Sequence, residues 1–308
     1  MQRRILWRSW GRCLTGAGIT GAEARRDHDH QREVVARFAP AEYVAVRLLL
    51  PAALVPDVVA AVSYMHVTDD RIDQGGSPAE RRAAWERWAA SSREALTTGR
   101  SEQAVLRALS RSAERHPRLP ARVEEFLSGA RAEVEWERFT AEAEVDRYVD
   151  DYAMPAFMLT AGLLPRPATT EPEFVRACRL LIEAMQRLDW LEDLGEDLRS
   201  GRIGIPLDTL ATHGMDLESL AVGEFDAVSL ARLLQDQAAK AEDRLLAARG
   251  LASLVEPEVR PFVRALLRVQ GLRLQAVRRS GVALLDAPAK VPKAKALRVL
   301  VGETLAGR

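Results

Sequence analysis

At 308 residues, 47% of them hydrophobic, the chain is long enough for a sizeable core and lies near the upper size for one domain. Its 44 basic and 44 acidic side chains cancel, which excludes the basic excess of a nucleic-acid binder. Cys13 and Cys178, far apart and in no metal spacing, exclude a disulfide framework and point to a reducing, cytoplasmic compartment.

The opening segment MQRRILWRSWGRCLTG is basic, but Arg4, Arg8 and Arg12 break each apolar run before it reaches signal-peptide length. Two readings stay open for it. It is a packed or frayed extension, or a short basic helix laying Trp7, Trp10 and Leu14 on a membrane surface as a peripheral contact. No stretch approaches the roughly 18 uncharged residues of a spanning helix.

Alanine, leucine, arginine and glutamate at spacings of three and four predict helix almost throughout. Helices are expected over 22–37, where His28 and His30 lack a third ligand for a metal, and then over 43–50 and 55–72. The last of these stops at Gln74-Gly75-Gly76. Ser77-Pro78 caps the next, whose Trp85 and Trp88 read as packing residues. Helices follow over 102–114, from 120 through Trp136 and Phe139, and over 145–164, where Pro155 predicts a kink and a freed carbonyl. The remaining ones cover 173–198, 225–249, 257–279 and 293–305. The expected organisation is an N-terminal extension with a leading helix (1–40) and one all-α helical bundle (41–308).

The stretch QRLDWLEDLGEDLRSGRIGIP, residues 186–206, stands out. Asp189, Asp193 and Asp197 recur every four residues, with Glu192 and Glu196 beside them and Gln186 one turn earlier. Like charges so spaced repel, so the stripe is either a solvated face or a place for a cation, and oxygen ligands favour Mg²⁺ or Ca²⁺. Arg199 and Arg202, one turn on, suit a diphosphate held through metal. A second cluster, HVTDDRIDQ, ends the 55–72 helix with Asp69, Asp70 and Asp73 on one side. Across a bundle, the two clusters could share Mg²⁺ ions.

These motifs resemble the squalene and phytoene synthases, head-to-head isoprenyl synthases of the class I terpenoid synthase fold. The resemblance runs from about Tyr43 to Arg298. It is strongest over Gln186 to Pro206, next over Ser63 to Asp73, and weaker over Tyr43–Leu49 and Val291-Pro292. It implies an Mg²⁺-dependent prenyltransferase with two or three ions on Asp69, Asp70, Asp73, Asp193 and Asp197, ionising an allylic prenyl diphosphate of 10 to 20 carbons. Gln186, Arg47, Arg199, Arg202, Tyr43, Tyr152 and Phe157 become candidate substrate contacts. Tyr148, Tyr152, Phe157 and Trp190 either steady the cation or simply pack. No nucleotide-binding glycine motif speaks for NADPH.

Four departures from the family pattern bear on the second substrate. His66 stands where the first signature has arginine, and Asp189 where the second has asparagine. Ala41 and Glu42 replace serines, and Tyr152–Phe157 is bulkier than the family's glycine-containing segment. Weakening one of two diphosphate sites leads us to expect transfer of the prenyl cation to a small aromatic or indole-type acceptor, with His66 or Asp189 orienting it or taking its proton. Head-to-head condensation of two prenyl diphosphates is the alternative, ahead of a cyclase or an idle helical scaffold.

Overall fold

A computed structural model describes residues 9–73, 77–135 and 138–306, the side chains of 72, 73, 78 and 131–135 lying outside that description. Its helices in chain order are α1 (Trp10–Gly16), α2 (Ala22–Phe38), α3 (Pro40–Leu49), α4 (Val55–Asp73), α5 (Pro78–Thr98), α6 (Ala104–Arg115), α7 (Leu119–Glu135) and α8 (Glu142–Tyr148). A π turn, Val149–Ala153, joins α8 to α9 (Met154–Ala161). Then come α10 (Glu171–Glu192), α11 (Leu194–Arg199), α12 (Leu207–Thr212), α13 (Leu217–Val222), α14 (Ala227–Ala247), α15 (Arg260–Ser280) and α16 (Lys293–Ala306). Short 3₁₀ turns precede α10 and follow α14 and α15. No strand appears among the described residues, apart from an isolated bridge between Arg138 and Ile203.

The sequence explains the punctuation. Ser77 accepts from the Glu80 amide while the Glu80 carboxylate accepts from the Ser77 amide, a reciprocal cap that fixes the start of α5. Pro155 has no N–H to give to the Asp151 carbonyl four residues back, and the chain widens there into the π turn before α9 begins. Gly129 of α7 lies against that carbonyl, where a Cβ would collide with Asp151 O. The irregularity expected at Pro155 takes the form of this π turn.

Two apolar clusters make most of the core. The larger is built from α1, α2, α4–α7, α9 and the first half of α10, with Val46 of α3 and Val263 of α15. The second gathers the end of α10 with α11–α15. Trp10 and Leu14 are buried in the first cluster, and the Trp10 indole N–H donates to Asp29 at 2.7 Å. That side of the opening helix is therefore spent on packing, which corrects the membrane-facing reading for these two residues; Trp7 lies outside the described residues. Burying about nine-tenths of the Trp10 side chain is worth a few kcal/mol, more than a dilute surface contact would return. None of the helices is long and apolar enough to cross a membrane, among the described residues.

Buried charge ties the helices together. Asp27 of α2 accepts from Arg107 (3.0 and 2.5 Å) and Arg111 (2.5 Å) of α6. Asp57 of α4 accepts from Ser112 (2.8 Å) and Arg115 and meets the His116 ring at 2.9 Å. Burial pushes both carboxyls up, yet these partners outweigh it and hold both below the usual carboxylate range. Between them sits His28, fully buried, neither ring nitrogen hydrogen-bonded; burial, with only partial opposition from Asp57, pushes it down to about 4.

Candidate active site

The first acidic segment is the last turn of α4. Asp69 and Asp70 are half-buried there, and Asp73 is its final residue, with a side chain outside the description. Tyr152 of the π turn donates its hydroxyl to Asp69 Oδ1 at 3.1 Å. His66, one turn earlier, stacks on Phe38 at 6.3 Å. Burial lowers its pKa against the pull of Glu42 and Asp70, so the ring is neutral at pH 7 and does not replace an arginine's charge.

The second acidic segment is not the unbroken ridge its spacing predicts. The helix expected over 173–198 breaks at Asp193 (φ −94°, ψ 4°), leaving Asp189 on α10, Asp193 at the joint and Asp197 on α11. The cause is local packing. Gly195 lies against the carbonyl of Leu285, so closely that a Cβ would overlap it, and α11 swings to keep that contact. The loop after α11 is then stitched to the segment before α8. Leu207 N–H donates to Phe139 O at 2.9 Å, and Asp208 N–H to Thr140 O at 3.1 Å. Phe139 therefore lies in extended chain rather than in the helix expected for it, and Trp136 falls outside the described residues.

Arg273 of α15, which sequence reasoning missed, reaches into this segment. It donates to Asp189 and, at 3.0 and 2.7 Å, to Glu192, while Gln270 steadies its guanidinium at 3.1 Å. It stays cationic, because the charges and hydrogen bonds of Asp189 and Glu192 outweigh its burial. Asp189 is thus paired within the protein, although it shares the one guanidinium with Glu192. The extra carboxylate arrives with a cation, which weakens one ground for expecting a different acceptor.

Asp193 has no such partner. Partial desolvation, then repulsion from Asp189, Asp197, Glu192 and Glu196, pushes its carboxyl up to about 6. Since Asp193 still faces solvent, the repulsion is the part a cation would relieve. Asp197 is raised too, by desolvation, against the pull of Arg202. Arg199 is exposed, Arg202 half-buried, and Gln186 half-buried on α10.

Aromatic rings connect the two segments. From Tyr152 at Asp69, ring centroids run 5.4 Å to Tyr148, then 5.7 Å to Trp190, the neighbour of Asp189. Tyr148 and Trp190 are buried core residues, whereas Tyr152 and Phe157 are half-buried. Tyr43 accepts from Arg47 Nη1 at 2.5 Å, and the Arg47 guanidinium lies over the Trp10 and Tyr43 rings at 5.4 and 5.5 Å. Among the described residues, no three His, Cys, Asp or Glu side chains converge closely enough to cage a metal alone.

This arrangement has relatives. The family model for squalene/phytoene synthase matches residues 39–295. The bifunctional protein CrtB/UppS of Streptomyces coelicolor is 32% identical over 213 residues, covering 68% of this chain and 36% of that protein. Phytoene synthase 2 of Zea mays, a chloroplastic protein, is 28% identical over 226 residues, covering 69% of this chain and 56% of that one. The matches thus span from about a third to just over half of those relatives' own length. A solved dehydrosqualene synthase superposes with a TM-score of 0.80 at 20% identity, covering 92% of this chain and 97% of that one. The squalene synthase HpnC from Alicyclobacillus acidocaldarius gives 0.75 at 20% identity, covering 87% and 98%. The fold is the isoprenoid-synthase helical fold, and with the family model matching well over half of its length, the chain belongs to the squalene/phytoene synthase family.

Proposed function

We propose that this chain condenses two prenyl diphosphates head to head, with Mg²⁺ and release of diphosphate. The observation that carries the proposal is the family match across residues 39–295, which takes in both acidic segments. The relatives named above as phytoene, dehydrosqualene and squalene synthases point the same way. This replaces the aromatic or indole acceptor expected from the sequence: two of the four departures that suggested it are engaged within the protein, Asp189 by Arg273 and His66 by its stack on Phe38.

Asp69, Asp70 and Asp73 on one side, with Asp193 and Asp197 on the other, are the proposed metal ligands. They fit Mg²⁺ in donor type, being hard carboxylate oxygens, and in charge, since Asp193 is held up by partial desolvation and by carboxylate repulsion that a cation would relieve. Carboxylates on two separate helical segments suit a metal that keeps waters and takes substrate oxygens. Bound there, the metal would neutralise the departing diphosphate.

The protein's own groups do the rest. Arg199 and Arg202 supply cations beside Asp197 for a diphosphate. Gln186 offers an amide one turn before Asp189. Tyr43, held by Arg47, and Phe157 offer aromatic surface to the prenyl chain and keep water from it. Tyr152 fixes the orientation of Asp69.

The experiment is mass spectrometry of products from purified protein, Mg²⁺ and farnesyl or geranylgeranyl diphosphate, each alone and with indole and phenol. A product of doubled chain length from one donor alone is expected. A prenylated aromatic that forms only when acceptor is added would overturn the proposal.

A further inference from the structure

We infer that α16 is a docking surface for an anionic lipid bilayer. Its inner face is fixed: Leu300 is buried against α3 and α15, and Glu303, 1% exposed, accepts from Arg264 at 2.7 Å and Arg268 at 2.8 Å. On the opposite face Leu297, Val301 and Leu305 stand 53%, 38% and 57% exposed. Spaced i, i+4, i+8, they form one apolar stripe along the helix. Three large apolar side chains in a row on a solvent face are not the scattered singles that ordinary surfaces carry.

The charge around the stripe selects the occupant. Lys290, Lys293, Lys295 and Arg298 are all exposed, and none makes an ion pair among the described residues. The one acid on the helix, Glu303, is buried and already shared by two arginines, so it cancels none of this charge. A second copy of the chain would bring the same four cations against themselves across a two-fold axis. An anionic bilayer meets both features, with headgroups for the cations and acyl chains for the leucines.

The test is co-sedimentation of the full chain with vesicles of phosphatidylcholine alone or one-third phosphatidylglycerol, beside light scattering without lipid. Binding to the anionic vesicles, weakened by salt above about 0.1 M as screening shortens, is the expected result. Leu297→Ser/Val301→Ser/Leu305→Ser should weaken that binding roughly tenfold or more, and Lys293→Gln/Lys295→Gln/Arg298→Gln should abolish the preference for anionic lipid. Both variants should stay folded, with a melting temperature close to the parent's, since the substituted side chains are exposed and none belongs to the buried face of α16. Equal binding by the parent and the leucine variant would overturn the inference. So would no binding by the parent, or a dimer in the parent that the leucine variant loses.

Discussion

Two groups of aspartates in this molecule are treated in opposite ways. Asp27 and Asp57, at the junction of α2, α4 and α6, are more deeply buried than Asp193 and Asp197, yet their carboxyls are held low and those of the second pair are held high. Burial alone would give the reverse order. The difference lies in the cations. Each aspartate of the first pair is supplied with arginines from α6, and Asp57 with the His116 ring as well. Asp193 is supplied with four more carboxylates. A structural acid arrives with its counter-charge in the chain, whereas a site for an external cation leaves that charge out and carries the repulsion until the ion comes.

Substitution should separate the two groups. Asp193→Asn should lower kcat/KM by roughly 10²-fold or more, the size of losing one electrostatic contact to a developing charge. Its melting temperature should stay level or rise, because a repelled charge has been removed. A variant that loses activity and stability together would place Asp193 with the structural acids. Asp57→Asn should do the converse, leaving Arg115 and His116 facing a neutral amide in the interior. Urea unfolding should register a loss of about 3–5 kcal/mol, with turnover per folded molecule unchanged.

A smaller effect sharpens the comparison through pH. Below the ordinary histidine value of 6.5, the unfolded chain takes up a proton that buried His28 refuses until about 4. The His28 contribution to stability should therefore fall as the pH drops through that window, by about 2 kcal/mol between pH 8 and pH 5. Asp193, raised to about 6, acts in the opposite sense over the same range, in parent and variant alike. Asp27 and Asp57, lowered from 3.8, act only below the window. Urea midpoints for the parent and His28→Leu should differ in their slope against pH, the variant's being flatter. Parallel slopes would mean that the ring takes up its proton in the folded state.

How far the sequence could be read depended on the range of the interaction. Most helices follow from local spacing and caps, and both ends of α2 and α16 and the start of α5 fall within a residue or two of expectation. The break at Asp193 was hidden because the four-residue spacing of the acids runs straight through it. What bends the chain is Gly195 meeting the carbonyl of Leu285, ninety residues later. Arg273 was hidden among the many arginines of α15. One signal did point to it: an extra carboxylate at Asp189, where the family signature has asparagine, calls for an extra cation, and Arg273 follows Gln270 by one turn on the side that carries buried Leu274 and Val277. The fully buried state of His28 was equally out of reach, since it depends on α4 and α6 closing over α2.

The π turn at Val149–Ala153 behaves as a phase shifter. By holding one residue more than an α-helical turn would, it rotates everything after it by about 100° relative to α8. Tyr152, Met154 and Phe157 owe their direction to that offset, and so does the hydroxyl that meets Asp69. In such a segment, length matters more to the geometry than identity does. Many side chains could be exchanged within the turn at modest cost, but losing one residue would regularise the helix and point a different face of α9 at the site.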